Sequence, residues 1–141
     1  MTAPLLAPVI ALVLWSFVIW GWMYATRIPA ILKMKMVFDS NAPRGEQMNL
    51  LPANVRWKAD NYNHLMEQPT LFYAIGIVLA LIDPSELNAA LAWAYVGVRV
   101  AHSVWQSLAN IIQVRFALFS ISALLLIALT VRAALALLPL I

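Results

Sequence analysis

Six polar side chains recur at helical spacing in an otherwise apolar segment near residues 86–112. They are Tyr95, Arg99, His102, Ser103, Gln106 and Asn110. At about 100° per residue they fall within about 100° of arc, so they form one stripe on a helix. Polar groups are costly in hydrocarbon and usually face a bundle interior or a wet cavity. The stripe therefore predicts either an interhelical hydrogen-bond seam or the lining of a pocket.

A second polar face lies early in the apolar segment that precedes the stripe. Its members are Asp60, Asn63, His64 and Glu67. Arg27, after the first apolar segment, and Arg115, at the start of the last, are predicted to lie at the same depth. Together these groups predict a hydrophilic cavity that opens to the cytoplasm above an apolar floor. We expect Glu67 and Arg99 to stabilise each other there by opposite charge or by shared hydrogen bonds.

Other chemistries have weaker support in the sequence. His64 and Glu67 reverse the Glu-x-x-His spacing of di-iron helix bundles, but such sites need more carboxylates than these helices offer. We therefore expect no metal site. The chain has no cysteine, so any thiol must come from a bound molecule. The sequence has no phosphate-binding loop, nucleophile elbow or zinc-protease motif.

Composition shows which elements must position these groups. The chain has 141 residues, of which 64% are hydrophobic and 11% are charged. A soluble domain of this size cannot bury so much apolar surface, whereas about 20 apolar residues suffice for one membrane-spanning helix. We predict a single all-α integral membrane domain over residues 1–141, a four-transmembrane-helix bundle. The predicted helices are 5–33, 59–82, 86–112 and 114–138, with a loop at 34–58 and a kink at Pro69.

Lysine and arginine predict the orientation of the chain. The first loop and its flanks hold Arg27, Lys33, Lys35, Arg44, Arg56 and Lys58, whereas the turn near Asp83 and Glu86 holds none. Cytoplasmic loops carry an excess of these residues. We therefore predict that loop 34–58 is cytoplasmic and that both termini lie across the membrane. Orientation also accounts for the net charge of +3, so we expect no nucleic-acid partner.

Two motifs carry a family resemblance. The second-helix segment 63–73, NHLMEQPTLFY, resembles the MAPEG family, the membrane-associated proteins of eicosanoid and glutathione metabolism, in its bacterial type. The third-helix segment 99–103, RVAHS, and the pair Arg115 and Phe116 are similar to the same family. The resemblance covers nearly the whole chain. It implies a homotrimer of four-helix subunits, in which the enzymes bind glutathione between neighbouring subunits near the cytoplasmic face.

The resemblance also implies roles for single residues. Glu67 corresponds to the glutamate that holds the glutathione amino group, and Arg115 to the arginine that stabilises the thiolate. Arg115 is thus the candidate catalytic residue. The candidate glutathione-binding residues are Asn63, His64, Glu67, Arg99, His102 and Gln106.

Four positions depart from the enzyme pattern and leave two functions open. They are Asp60, His64, Gln106 and Phe119, where the enzymes carry Arg, Asn, Tyr and Tyr. The first function is a glutathione-dependent transferase or peroxidase that acts on lipophilic electrophiles from the bilayer. The second is a non-catalytic membrane protein that keeps the scaffold and binds another ligand or partner. The first predicts glutathione as a cofactor and a lipophilic small molecule as a partner.

The charge asymmetry gives a topology that proteolysis can test. In sealed inverted vesicles, added protease should cut the chain near residues 41–45 and leave the termini intact, because this long loop faces outward and the termini face the vesicle interior. The fragments are identified by mass spectrometry. Protection of this loop together with digestion of a C-terminal tag would contradict the orientation.

Overall fold

The computed structural model describes residues 4–141, which form helices and turns. The helices are α1 (Leu6–Lys33), α2 (Ala53–Leu65), α3 (Gln68–Ile82), α4 (Glu86–Leu108) and α5 (Ile112–Leu137). Short 3-10 turns occupy Met48–Leu50 and Leu138–Leu140. The helix α1 packs against α2, α3 and α4, and α5 packs against α3 and α4. The predicted all-α fold is confirmed.

Three segments of the described chain are long and apolar enough to cross a membrane. They are Leu6–Lys33, Ala53–Ile82 and Ile112–Leu140. Large apolar side chains cover their outer surfaces, and Phe17 and Leu124 are 65% and 66% exposed. A soluble monomer rarely exposes contiguous apolar surface on this scale, whereas lipid solvates it. The outside of the bundle is therefore suited to a bilayer.

The helix α4 is not among these segments because its inward face is polar. Its 23 residues extend about 35 Å, which is enough to cross the hydrocarbon core. The side chains of Arg99, His102 and Gln106 lower its hydropathy, but each is at most 1% exposed. The polar groups of α4 therefore face its neighbours and leave an apolar surface outside.

The second predicted helix, 59–82, is two helices in the structure. The first, α2, begins at Ala53 after Pro52, whose backbone is extended. Part of the predicted loop 34–58 is therefore helical, which corrects the prediction. The first turns of α2 carry the polar residues Asn54, Arg56 and Lys58. Their low hydropathy is typical of a loop, which is why the sequence pattern does not show that this segment is helical.

The chain leaves the helical path at Met66 and Glu67, between α2 and α3. Pro69 lies in the first turn of α3, where its missing N–H costs little. In a continuous helix, that N–H would bond the carbonyl of Leu65. The predicted kink at Pro69 is therefore a break that ends one helix and starts another.

The third predicted helix, 86–112, ends earlier, at Leu108. Asn110 has a φ of 53°, the left-handed conformation that asparagine adopts more readily than most residues. Its N–H donates to the carbonyl of Trp105 at 2.9 Å. Asn110 therefore lies in the turn before α5 and does not extend the helical stripe.

At the opposite end of the bundle, Arg132 of α5 holds the turn between α3 and α4. Its Nη2 lies 3.5 Å from the carboxylate of Asp83, and its Nε donates to the side-chain oxygen of Asn88. Asn88 is fully buried and donates in turn to Asp83 at 2.8 Å. These bonds fix the ends of three helices to one another.

The packing of α1 on α3 predicts a stability difference between two glycines. A Cβ on Gly76 would lie 2.7 Å from Cγ2 of Val9, a β-branched side chain with few alternative rotamers. Gly76→Ala should therefore destabilise the protein by about 1–3 kcal/mol. Gly21→Ala is the control, since its Cβ would meet nothing within 4 Å. Thermal unfolding in detergent measures both, and a Gly76→Ala variant as stable as the wild type would refute this packing.

Candidate functional site

A cavity of about 400 Å³ lies where α2, α4 and α5 meet beside the break. Its lining residues are His64, Glu67, His102, Ile112, Arg115, Phe116 and Phe119. We call it the histidine cavity. The volume is within the range of about 300–1,000 Å³ that is typical of small-molecule sites. Four of the predicted site residues, His64, Glu67, His102 and Arg115, therefore line one cavity.

Two histidines form the polar wall of the histidine cavity. The rings of His64 and His102 are stacked, with their centroids 6.0 Å apart and their planes at 23°. His102 is only 1% exposed, and its Nδ1 has no hydrogen-bond partner within residues 4–141. A buried ring nitrogen without a partner is unusual in a folded protein. It leaves one polar atom that a ligand or a water molecule could satisfy.

Arg115 is positioned by the turn that precedes α5. Its Nη1 donates to Oδ1 of Asn110 at 2.7 Å. The backbone of Asn110 is left-handed and reverses the chain directly before α5. This turn brings the side-chain amide of Asn110 next to Arg115. The Nε of Arg115 is buried and has no protein partner in the described chain. The guanidinium is therefore anchored by Asn110, and Arg115 lines the histidine cavity.

Arg99 lies behind the histidines and contacts the end of α2. It is 1% exposed, and its Nη2 donates to the carbonyl of His64 at 3.2 Å. A cation is favourable at a helix C-terminus, where the unpaired carbonyls carry partial negative charge. Its Nε and Nη1 have no partner among the described residues. Arg99 thus stabilises the end of α2.

The expected ion pair between Glu67 and Arg99 is not formed. Within residues 4–141, Arg132 and Asp83 make the only salt bridge. Glu67 lies in the break itself, is exposed, and presents its carboxylate at the rim of the histidine cavity. The chain leaves the helical path at Glu67, so the Glu67 side chain does not lie on the face of α2 that a continuous helix would turn towards Arg99.

Gln68 joins three helices immediately after the break, and the sequence analysis did not identify it. Its Oε1 lies 3.2 Å from the hydroxyl of Tyr95 on α4 and 3.0 Å from that of Ser122 on α5. The ring of Tyr95 also stacks on Phe72, with centroids 4.4 Å apart. Ser122 gives little signal in sequence, since a serine in an apolar helix commonly bonds its own backbone.

Beside the histidine cavity, side-chain hydrogen bonds connect α4 to α1 and α2 and form a seam. Trp15 donates from Nε1 to the hydroxyl of Ser103 at 2.9 Å. Asn61 donates to the carbonyl of Ser103 at 3.1 Å and to the hydroxyl of Ser107 at 2.8 Å. Gln106 is fully buried, and neither of its amide atoms has a partner in the described chain. The stripe thus divides between a seam and a cavity wall, and Gln106 does not line the cavity.

Asn63 and Asp60 face a different cavity. They line a polar cavity of about 320 Å³ with Arg27, Arg44 and Arg56, between the end of α1, the loop and α2. We call it the arginine pocket. Asn63 and His64 are adjacent in sequence, so their side chains point about 100° apart on a helix. The structure therefore does not bring Asn63 into the histidine cavity.

No cluster of three or more potential metal ligands occurs in the part of the chain that the structure describes. The architecture is that of a helical membrane protein with two cavities that carry polar residues, the histidine cavity and the arginine pocket. The family model of the MAPEG family matches residues 5–135, nearly the whole chain. The protein therefore belongs to the MAPEG family and is an integral membrane protein. Comparisons with curated proteins and with solved structures gave no significant match.

The geometry around the break predicts unequal effects of two substitutions. Arg99→Met removes a charged donor from the end of α2 and should destabilise the protein by about 2 kcal/mol. Glu67→Gln changes an exposed carboxylate without a direct cationic partner, so its effect should stay within about 0.5 kcal/mol.

Thermal unfolding in detergent of both single variants and of the double variant makes this a double-mutant cycle. The effects should add within about 0.5 kcal/mol, because the two side chains form no ion pair. A coupling energy well above that value would show that Glu67 and Arg99 interact directly.

Proposed function

We propose that the protein is a glutathione-dependent transferase or peroxidase that acts on lipophilic electrophiles. The observation that carries the proposal is the histidine cavity. It combines an anchored arginine, a carboxylate at the rim and an apolar wall. Membership of the MAPEG family supports it.

The charges of the histidine cavity fit glutathione, which has two carboxylates, an ammonium group and a thiol. Arg115 brings a guanidinium to the wall of the cavity, which suits an acidic group, and the imidazole of His102 lies on the same wall. Glu67 offers a carboxylate for the ammonium group. Asp60, which replaces an arginine of the enzyme pattern, lies in the arginine pocket and does not face this ligand.

The role proposed for Arg115 is to stabilise a thiolate. When bound, glutathione supplies a thiol whose ordinary pKa of about 8.5 leaves only a few per cent ionised at pH 7. Lowering that pKa by about two units requires about 2.7 kcal/mol. A guanidinium in a site with little water can supply interaction energy of this order. The hydrogen bond from Arg115 to Asn110, which anchors the guanidinium beside the cavity, supports this role.

The apolar wall supports a lipophilic second substrate. Ile112 and Phe116 are each 71% exposed on the outer surface of α5, and they also line the histidine cavity. A molecule dissolved in the bilayer could therefore reach the cavity laterally, along α5. A separate, mainly apolar cavity of about 480 Å³ lies between α3 and α5, from Gln68 towards Val131, and also suits a lipophilic molecule.

We also propose four transmembrane helices, a cytoplasmic loop and a homotrimer. The length of α4 and its buried polar face support a fourth span. The trimer would cover the exposed rims of the polar cavities, in agreement with the family pattern. Native mass spectrometry in detergent should give the mass of three chains, and a stable monomer would exclude this assembly.

A non-catalytic scaffold protein is the second candidate. The observation in its favour is the seam between Trp15, Asn61, Ser103 and Ser107, which gives Ser103 of the α4 stripe a structural role. His64, Gln106 and Phe119 also differ from the enzyme pattern. On this reading, the histidine cavity binds a ligand other than glutathione.

Glutathione titration separates the two candidates. Calorimetry of the purified protein should show binding, and the bound thiol should absorb in the ultraviolet as a thiolate at pH 7. In Arg115→Gln, the thiol pKa should rise towards about 8.5, and the thiolate fraction should fall roughly twenty-fold.

The matched control is Lys33→Gln, which removes one positive charge at an exposed position outside both cavities. It should leave the thiolate absorbance unchanged. If the wild-type protein gives no binding heat with glutathione, the enzyme proposal is wrong and the scaffold reading stands.

A further inference from the structure

The guanidinium of Arg115 is held by an uncharged partner. Its Nη1 donates to the side-chain oxygen of Asn110 at 2.7 Å. No carboxylate lies within 4.0 Å of it in the described chain, where Arg132 and Asp83 form the only ion pair. Glu67 lines the same cavity but makes no ion pair with Arg115. An amide fixes the position of an arginine without cancelling its charge, whereas a carboxylate in the same place would neutralise it.

Both ends of this hydrogen bond are carried by backbone that is itself fixed. The N–H groups of Ala109 and Asn110 both donate to the carbonyl of Trp105 at 2.9 Å, so the last turn of α4 holds the acceptor. The N–H of Arg115 donates to the carbonyl of Ile111 at 3.1 Å, in the first turn of α5. An arginine side chain has many rotamers, and ordering it costs free energy. The amide of Asn110 therefore selects one placement of a flexible cation.

The three nitrogens of this guanidinium have different surroundings. Nη1 is bonded to Asn110, and Nε is buried away from solvent. Nη2 is neither buried nor bonded to residues 4–141. Since Arg115 lines the histidine cavity, Nη2 is the nitrogen that can meet a bound molecule. The hydrogen bond to Asn110 therefore decides which donor faces the cavity.

We propose that Asn110 is a positioning residue for the thiol chemistry of the histidine cavity. Its amide holds Nη1 of Arg115, directs Nη2 to the sulfur of the bound thiol and leaves the positive charge of the guanidinium intact. Asn110 acts through Arg115 and is not itself among the residues that line the cavity. This inference rests on the proposed function, and it names the residue on which the geometry of the candidate catalytic group depends.

The backbone of Asn110 determines which substitutions test its side chain alone. Its φ of 53° is left-handed, a conformation that glycine adopts without strain and aspartate adopts more readily than most residues. Asn110→Gly thus keeps the turn and removes the amide. Asn110→Asp keeps the turn and the acceptor but adds a negative charge beside Nη1.

The first measurement is an ultraviolet titration of the thiol of glutathione bound to the full-length protein. In Asn110→Gly the guanidinium loses its fixed place, so the thiol pKa should rise by about one unit from about 6.5, and the thiolate fraction at pH 7 should fall about threefold. In Asn110→Asp the guanidinium stays in place but is neutralised, so the thiol pKa should rise at least as far. His64, Glu67 and His102, the other titratable groups that line the cavity, are unchanged in both variants.

The second measurement does not involve glutathione. Phenylglyoxal reacts with both terminal nitrogens of an arginine, so the bond to Asn110 should slow its reaction with Arg115. Arg115 should react about tenfold faster in Asn110→Gly, the effect expected for losing a hydrogen bond to a charged group. In Asn110→Asp it should react no faster than in the wild type. Peptide mass spectrometry gives each rate, with the exposed Arg44 as the internal standard.

Asn41→Gly is the matched control, because it removes an exposed asparagine side chain from the loop and should change neither measurement. If the thiol pKa of Asn110→Gly stays at the wild-type value, or rises without faster labelling of Arg115, the proposal is wrong. An unchanged thiol pKa in Asn110→Asp also refutes it, even where Asn110→Gly fails to fold. If the wild type binds no glutathione while Asn110→Gly still speeds the labelling of Arg115, the enzyme proposal fails and the hold of Asn110 on Arg115 is confirmed.

Discussion

The contact between the Arg99 guanidinium and the last turn of α2 is the interaction on which the site depends. The chain leaves the helical path after Leu65, so the carbonyls in the last turn of α2 lose their helical partners. In a membrane such a group must be satisfied by the protein. Arg99 supplies both a donor to His64 and a positive charge at the helix end. A buried cation and a broken helix thus offset each other's cost.

The break determines what the neighbouring side chains can do. Because α2 ends at Leu65, Glu67 leaves the helical path and reaches the rim of the histidine cavity. Gln68 instead turns inward and meets hydroxyls from α4 and α5. One irregular turn therefore places an exposed carboxylate and a half-buried amide next to each other in sequence. In a continuous helix, the side chains of Glu67 and Gln68 would point only about 100° apart around the helix axis.

Much of the fold could be predicted from the sequence, because hydropathy reports directly which segments lipid can solvate. The polar stripe on α4 was equally visible, since its period is that of a helix. Periodicity could not show which neighbour each polar group meets. The sequence predicts one site for Asn63 and His64, yet they line different cavities. The hydrogen bond between Arg115 and Asn110 depends on the left-handed turn, which the helical pattern concealed.

The helix α2 forms a wall between two cavities of different character. Its Asp60 and Asn63 face the arginine pocket, while His64, nearest to its C-terminus, faces the histidine cavity. This geometry changes the meaning of the acidic residue at position 60. In the histidine cavity, its charge would repel the carboxylates of glutathione. Among three arginines it instead reduces the charge excess of the other cavity, so its presence is compatible with an anionic ligand beside His102 and Arg115.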